Sequence, residues 1–222
     1  FERLAGESRP FFQEGQNYFG TGFDAQLFAS QRINNIDTGI KIYGDVDATT
    51  RMGAMAVSDF GDQIASVFSL SRRWSPQLVT SLAYVRNDER GRDNDAGQLN
   101  LNYTLGDTSY YLNSQFTDDE QQKSGSRIST GAFLETAKWN TGVEYTEASP
   151  NFFPRIGFAP QRNFRQVSLF SRYGEQYTIP GVREWGVGVN LSSANRFNGD
   201  FYRDNMGVNL EASLLNVVDL GV

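Results

Sequence analysis

The chain has 222 residues, a formal charge of −6 from 20 Lys+Arg against 26 Asp+Glu, and neither Cys nor His. Without Cys there is no disulfide framework and no thiolate chemistry; without His there is no Ser-His-Asp machinery and no imidazole ligand. A net acidic chain also makes a poor nucleic-acid partner, because counterion release needs clustered Lys and Arg.

Helical periodicity is almost absent, and period-2 alternation dominates from residue 38 onward. In chain order, strands are predicted at about 24–33 (around Leu27-Phe28-Ala29-Ser30), 39–47, 51–58, 63–71 and 77–87. The clearest follows at 98–106. There Leu99, Leu101, Tyr103 and Leu105 face one way, and Asn100, Asn102 and Thr104 the other. Tyr110, Leu112, Ser114 and Phe116 then alternate with Tyr111, Asn113, Gln115 and Thr117. Ile128, Thr130, Ala132 and Leu134 alternate with Ser129, Gly131, Phe133 and Glu135. Trp139, Thr141, Val143 and Tyr145 alternate with Asn140, Gly142, Glu144 and Thr146. A weaker strand is predicted at 164–173. Trp185, Val187, Val189 and Leu191 follow, opposite Glu184, Gly186, Gly188 and Asn190, and the last alternation runs over 206–213.

This makes about twelve strands of 8–11 residues, long enough to cross a bilayer at a tilt. No run of 18 apolar residues exists for a transmembrane helix. The second face of these strands is Gly, Asn, Ser, Thr and Gln rather than the Lys- and Glu-rich face of a soluble sandwich. Small polar residues suit a barrel lumen while the apolar face meets lipid. The expected fold is therefore all-β: an antiparallel up-and-down transmembrane barrel of about twelve strands, or the N-terminal part of a larger one. A soluble secreted all-β binding domain is the alternative. Residues 1–23 would form an entry or plug-like segment, and 24–222 the strands.

Tight turns are expected at 106–108 and 136–138, and long polar loops at 87–97, 117–127 and 147–163. Short turns at one end and long loops at the other are the outer-membrane habit. That parity puts the long loops outside the cell and the N-terminus on the periplasmic side. Tyr103, Tyr110, Trp139, Tyr145, Tyr173 and Trp185 stand near strand ends. They read either as interfacial girdles or as ordinary strand aromatics. The last residues, from Leu214 to Val222, begin like a further strand, as expected if more strands follow.

Two segments carry a resemblance. Glu7-Ser8-Arg9-Pro10-Phe11-Phe12-Gln13-Glu14-Gly15, followed by Leu27-Phe28-Ala29-Ser30-Gln31-Arg32-Ile33, resembles one motif of a bacterial outer-membrane family. Asn151 to Arg165, with Pro154, Gly157, Phe158, Arg162 and Arg165, is similar to a loop of the same family. In that family a periplasmic carbohydrate-binding module of the family-9 type precedes a barrel domain of unknown function. The sequence departs from the pattern at Gln13, Gln31, Phe153, Arg155 and Gln161, and the module has no counterpart here. The resemblance implies a Gram-negative outer-membrane location. It also implies a bilayer and lipopolysaccharide environment, and a possible glycan, carbohydrate-binding module or partner protein.

Arg9 to Gly15 reads as a lumen plug, with Arg9 and Glu14 paired to wall charges, or as a structural clamp. The 152–165 loop, with Pro, Phe and Arg, reads as a ligand-recognising loop or as a self-packed cover. Asp88, Glu89, Asp93, Asn94 and Asp95, like Asp118, Asp119 and Glu120, do not match a calcium loop and read as solvated acidic loops. Asn100, Asn102, Asn113, Gln115, Glu135, Glu144 and Asn190 are expected to line the lumen. Glu135 and Glu144, on neighbouring strands, are the sole carboxylate pair suggesting a glycosidase. Nothing in the sequence asks for a metal or a cofactor, and the expected role is non-enzymatic passage, docking or export of a solute or polymer.

Overall fold

The computed structural model describes residues 7–20, 25–33, 35–214 and 219–221. A short helix α1 (Pro10–Gln13) and two 3-10 turns (Gln16–Tyr18 and Ser30–Arg32) precede one antiparallel sheet. Its strands are β1 (Thr38–Asp45), β2 (Thr50–Asp59), β3 (Gln63–Arg73), β4 (Leu78–Glu89), β5 (Arg92–Leu105), β6 (Thr108–Asp119), β7 (Gly125–Glu135), β8 (Trp139–Ala148), β9 (Phe164–Gln176), β10 (Val182–Asn195), β11 (Phe201–Leu214) and a short β12 (Asp219–Gly221). Each strand pairs with the next in sequence, so the topology is up-and-down. A single sheet in sequential order rules out the two packed sheets of a sandwich. Among the described residues, β1 pairs only with β2.

Register sorts the side chains into two faces. Leu99 of β5 stands opposite Ser114 of β6 and Leu82 of β4, and Tyr103 stands opposite Tyr110. Exposed Ile40, Ile42, Ile64, Phe68, Leu82, Leu99, Val143, Leu169, Val189 and Val208 all lie on this outward face. One end carries the connections 46–49, 74–77, 106–107, 136–138 and 177–181; call it the turn end. The other carries 60–62, 90–91, 120–124, 149–163 and 196–200, and is here the loop end.

The outward face has fixed limits. At the turn end it carries Tyr103 on Tyr110, with ring centroids 6.4 Å apart, Trp139 on Tyr173 at 4.9 Å and Tyr173 on Trp185 at 5.8 Å. Tyr145 lies toward the loop end instead. Eight positions from these rings on the same strands, outward charges begin: Asp95, Asp118, Glu147 and Arg165. Eight residues span roughly 26 Å of strand, or about 20 Å at a tilt of about 40°.

Several expectations are corrected. Residues 25–33 form no strand: Gln26 makes one isolated bridge to Phe158, and Ser30–Arg32 is a 3-10 turn. The part of that expected strand at residue 24 lies outside the described residues. The chain therefore enters β1 at the loop end, where Asp37 donates its N–H to the Ser58 carbonyl, and not at the opposite, periplasmic end that the strand parity implied. Residues 87–97 are not a loop but the tip of the β4–β5 hairpin, turned by Arg90 (φ 55°) and Gly91 (φ 74°). Positive φ at both central residues matches the right-handed twist of the strands. Residues 117–127 shrink likewise to a five-residue turn at 120–124.

The inward face has two halves. On β2–β5 it carries an apolar cluster: Met55, Val57, Ala65, Val67, Val85 and Ala96 are buried against Phe12, Phe19, Leu27 and Ile33 of the N-terminal segment. Phe152 and Ile156 of the 149–163 loop complete this core. Each such large side chain stabilises by about 1.5–3 kcal/mol. From β6 onward the inward face is mostly polar and less covered.

Asp119 fastens the loop. Its buried carboxylate accepts from Asn94 at 3.2 Å, from the N–H groups of Gln121 and Gln122 at 2.9 Å, and from Arg155 at 2.8 Å. Asp119→Ala strands a part-buried guanidinium and two backbone donors, and should destabilise the fold by about 3 kcal/mol. Denaturant unfolding of the lipid-reconstituted protein checks this; a change below about 1 kcal/mol would remove Asp119 as an anchor.

Candidate functional site

The interior is built by two segments that clasp each other. Gln26 donates to the Phe158 carbonyl at 2.8 Å, and Phe158 returns a bond to the Gln26 carbonyl at 2.7 Å. Ala29 donates to the Ile156 carbonyl at 2.7 Å. Gly157 makes this approach possible, because a Cβ there would stand 2.1 Å from the Gln26 carbonyl oxygen. The wall holds both segments. Gln115 of β6 donates to the Ala25 carbonyl at 2.9 Å, and Asn94 of β5 to the Phe153 carbonyl at 3.0 Å. Lys41 of β1 donates to the carbonyls of Phe11 and Glu14, and Ser69 of β3 to that of Tyr18.

The residues singled out around Arg9 divide their work. Arg9 pairs with Glu7 at 2.9 Å and donates to the Ile33 and Ser30 carbonyls, each at 2.6 Å. Its guanidinium also sits 4.5 Å above the Phe12 ring. It therefore knots the segment to itself and does not meet a wall charge. Glu14 does meet one, Lys41, at 3.8 Å. Pro10 starts α1, and Phe11 lies under the Lys41 ammonium, 4.9 Å from its ring centroid. Gly15 takes φ 66° and lies against the Tyr43 ring. Pro154 and Gly157 are buried in the loop. Arg32 and Arg162 border, with Phe153, Arg155 and Phe158, a cleft of about 340 Å³ at the loop end. Arg165 points outward, 3.3 Å from Glu147 and over the Phe197 ring.

The predicted lumen residues separate into three groups. Asn100, Asn102, Asn113 and Glu144 together line a cleft of about 440 Å³ on the inner wall of β5–β8. Gln115 faces inward but is 1% exposed, spent on Ala25 and on Gln98 at 2.8 Å. Glu135 stands at the turn-end rim, paired in register with Asn140, and Asn190 is half-buried on β10. Glu144 pairs with Gly131, four positions along β7 from Glu135. Four positions are roughly 13 Å of backbone; Glu144 bonds to Tyr111 and Thr146, and Glu135 does not border its cleft. No group of three or more Asp or Glu that could hold a metal occurs among the described residues.

Sequence reasoning missed the aromatic strip beside this cleft. Tyr111 of β6, Phe133 of β7 and Phe170 of β9 follow one another at 5.7 and 5.9 Å, with interplanar angles of 12° and 30°. Gly131 lies under Tyr111, and Gly142 under both Phe133 and Phe170; a Cβ at Gly142 would stand 2.4 Å from Phe133. The signal was present as an aromatic on one strand facing a glycine on the next, but only the register shows which positions face.

No protein-family model and no curated protein matches the chain. Solved structures do. Pseudomonas aeruginosa OccK3 (OpdO) aligns with a TM-score of 0.51 at 8% identity, over 78% of this chain and 54% of that one. Acinetobacter baumannii OccAB3 aligns at 0.44 and 12% identity, over 78% and 53%. The chain spans about half the length of these structures. The likeness to the first is one of fold: the sheet is of the antiparallel up-and-down β-barrel type.

Glu7 sets a pH dependence. Its bonds to Arg9 hold the carboxyl down from 4.5 to about 2. A depressed value in the folded state means this anchoring is complete above about pH 4.5 and is lost as pH falls through about 2. Amide exchange in residues 7–15, corrected for intrinsic rates, should be protected at pH 6 and weakened at pH 2.5. Glu7→Gln should remove that difference; equal protection at both pH values in the parent would contradict the anchor.

Proposed function

We propose that this chain forms part of an outer-membrane β-barrel of a Gram-negative bacterium, and that it conducts small polar solutes through a lumen narrowed by residues 7–20, 25–33 and 149–163. The observation that carries this reading is the division of one sheet into an apolar outer band and an inner wall half filled and half polar. The band, about 20 Å between its aromatic rings and its first charges, approaches the apolar height of outer-membrane barrels. Aromatic residues at one rim suit a membrane interface.

The outward charges above the band suit a saccharide–phosphate headgroup layer. Arg86 pairs with Asp93 at 2.9 Å and reaches Asp95 at 3.9 Å, and Arg165 pairs with Glu147. Mixed signs of this kind can meet both lipopolysaccharide phosphates and their bridging cations. This supports an orientation with the loop end outside the cell. The resemblance of 7–15, 27–33 and 151–165 to a module-linked barrel family supports a carbohydrate-linked solute, and Gln26 and Ala29 bond to the 151–165 loop on the inner side of the sheet. The role is passage rather than catalysis.

Deletion of residues 7–33 tests the reading. In proteoliposomes containing the full-length protein, the deletion should raise the swelling rate with a small neutral solute several-fold. Retained heat-modifiable gel mobility certifies the fold. An unchanged rate in a folded variant would mean that the segment does not narrow the path.

A further inference from the structure

The aromatic strip on the inner wall has no role in holding the fold's core. The buried core lies on β2–β5, beneath the N-terminal segment and the 149–163 loop. Tyr111, Phe133 and Phe170 stand beyond it and are only half-buried. They are laid flat by the glycines they cover. Register pairs Tyr111 with Gly131, and Gly142 with both Phe133 and Phe170. With no Cβ beneath, each ring settles against the wall and turns a face to the lumen. A larger residue at either glycine would push the rings upright.

Polar groups frame this strip on one side. Asn100 and Asn102 of β5 and Asn113 of β6 bring three amides to the same cleft, with Ser129 of β7. Each amide offers both a donor and an acceptor. Glu144 is fixed: Tyr111 donates its hydroxyl to Oε2 at 2.6 Å, and Thr146 donates to Oε1 at 3.2 Å. No Lys or Arg lines the cleft among the described residues, and Arg172, two residues from Phe170 on β9, is paired with Glu184 and Glu211. An anionic ligand would therefore meet a carboxylate with no countercharge, which costs affinity. A wholly apolar ligand would desolvate the amides without replacing their hydrogen bonds.

The chemistry that satisfies both parts is a flat ring with an apolar face and a polar edge. A pyranose is such a ring. Its axial C–H groups, slightly positive, meet the negative π face, and its equatorial hydroxyls reach the amides and the carboxylate. Three rings in succession suit consecutive sugar units of one chain. We propose that Tyr111, Phe133 and Phe170, with Glu144 and the three asparagines, form a binding track for a neutral oligosaccharide. This inference rests on the passage reading, for which it names the solute class.

The test uses full-length protein in detergent, titrated calorimetrically with maltotriose, cellotriose and chitotriose, and with glutarate as an anionic control. At least one neutral trisaccharide should bind saturably, and glutarate should not. Phe133→Leu, which keeps bulk and removes the π face, should weaken binding about tenfold or more, as should Glu144→Gln. Gly142→Val should do the same without touching a polar group. Absence of binding by all three trisaccharides, or unchanged affinity in folded Phe133→Leu and Gly142→Val, would overturn the track. Swelling of proteoliposomes with glycine separates the two readings. Swelling without sugar binding overturns the track alone; sugar binding without swelling upholds the track and overturns passage; neither overturns both.

Discussion

A single period of two, carried in register through eleven long antiparallel strands, decides what each side chain meets. Once Leu99 faces outward, Leu82 and Ser114 beside it must do the same, and Asn100 must face in. A one-residue slip between any pair would put a whole strand's apolar set on the wrong side. The aromatic rim and the outward charges stay eight residues apart on β5, β6, β8 and β9 because that register does not drift. The band, the filled half of the interior and the open cleft are three consequences of one sorting.

That sorting leaves an interior to be filled, and this chain fills it with itself. Residues 7–33 supply Phe12, Phe19, Leu27 and Ile33, and the loop from β8 to β9 supplies Phe152 and Ile156. Backbone bonds between Gln26 and Phe158 join the two, so neither segment is held by apolar contact alone. The wall's polar groups have a matching use. Gln115 and Asn94 point into the interior yet are buried, since their amides satisfy carbonyls of the segments that cover them. Toward the turn end of β5–β8 no such cover lies over the wall among the described residues, and Asn100, Asn102 and Asn113 remain at an open cleft.

Much of this was legible in the sequence, and the failures have physical causes. Strands β5, β6, β7, β8, β10 and β11 alternate cleanly because their two faces meet different media. Strands β2 to β4 read weakly because both faces are apolar: Met52 and Ala54 outward, Met55 and Val57 against the N-terminal segment. Leu27-Phe28-Ala29 imitates a strand because it is extended and buried, but its partners are the lumen contents rather than a ladder. The charges at 87–97 imitate a loop because the β4–β5 hairpin continues past the apolar band into a polar layer. Alternation alone puts Asn100, Asn102, Asn113 and Glu144 on one face, and in the structure they border one cleft. Gln115 has the right orientation, but only the structure shows what covers it. The aromatic strip needed the register, since Phe133 and Phe170 become neighbours only across Gly142.

The central claim is that one face of this sheet touches lipid and the other does not. The absence of cysteine makes single-cysteine scanning clean. Replacing Leu99, Asn100, Leu101 and Asn102 in turn, labelling each with an environment-sensitive fluorophore in bilayers, and quenching from nitroxide lipids measures this directly. Positions 99 and 101 should be quenched strongly by the lipid probe, and 100 and 102 weakly. Equal quenching at all four positions, or the reverse alternation, would contradict the account.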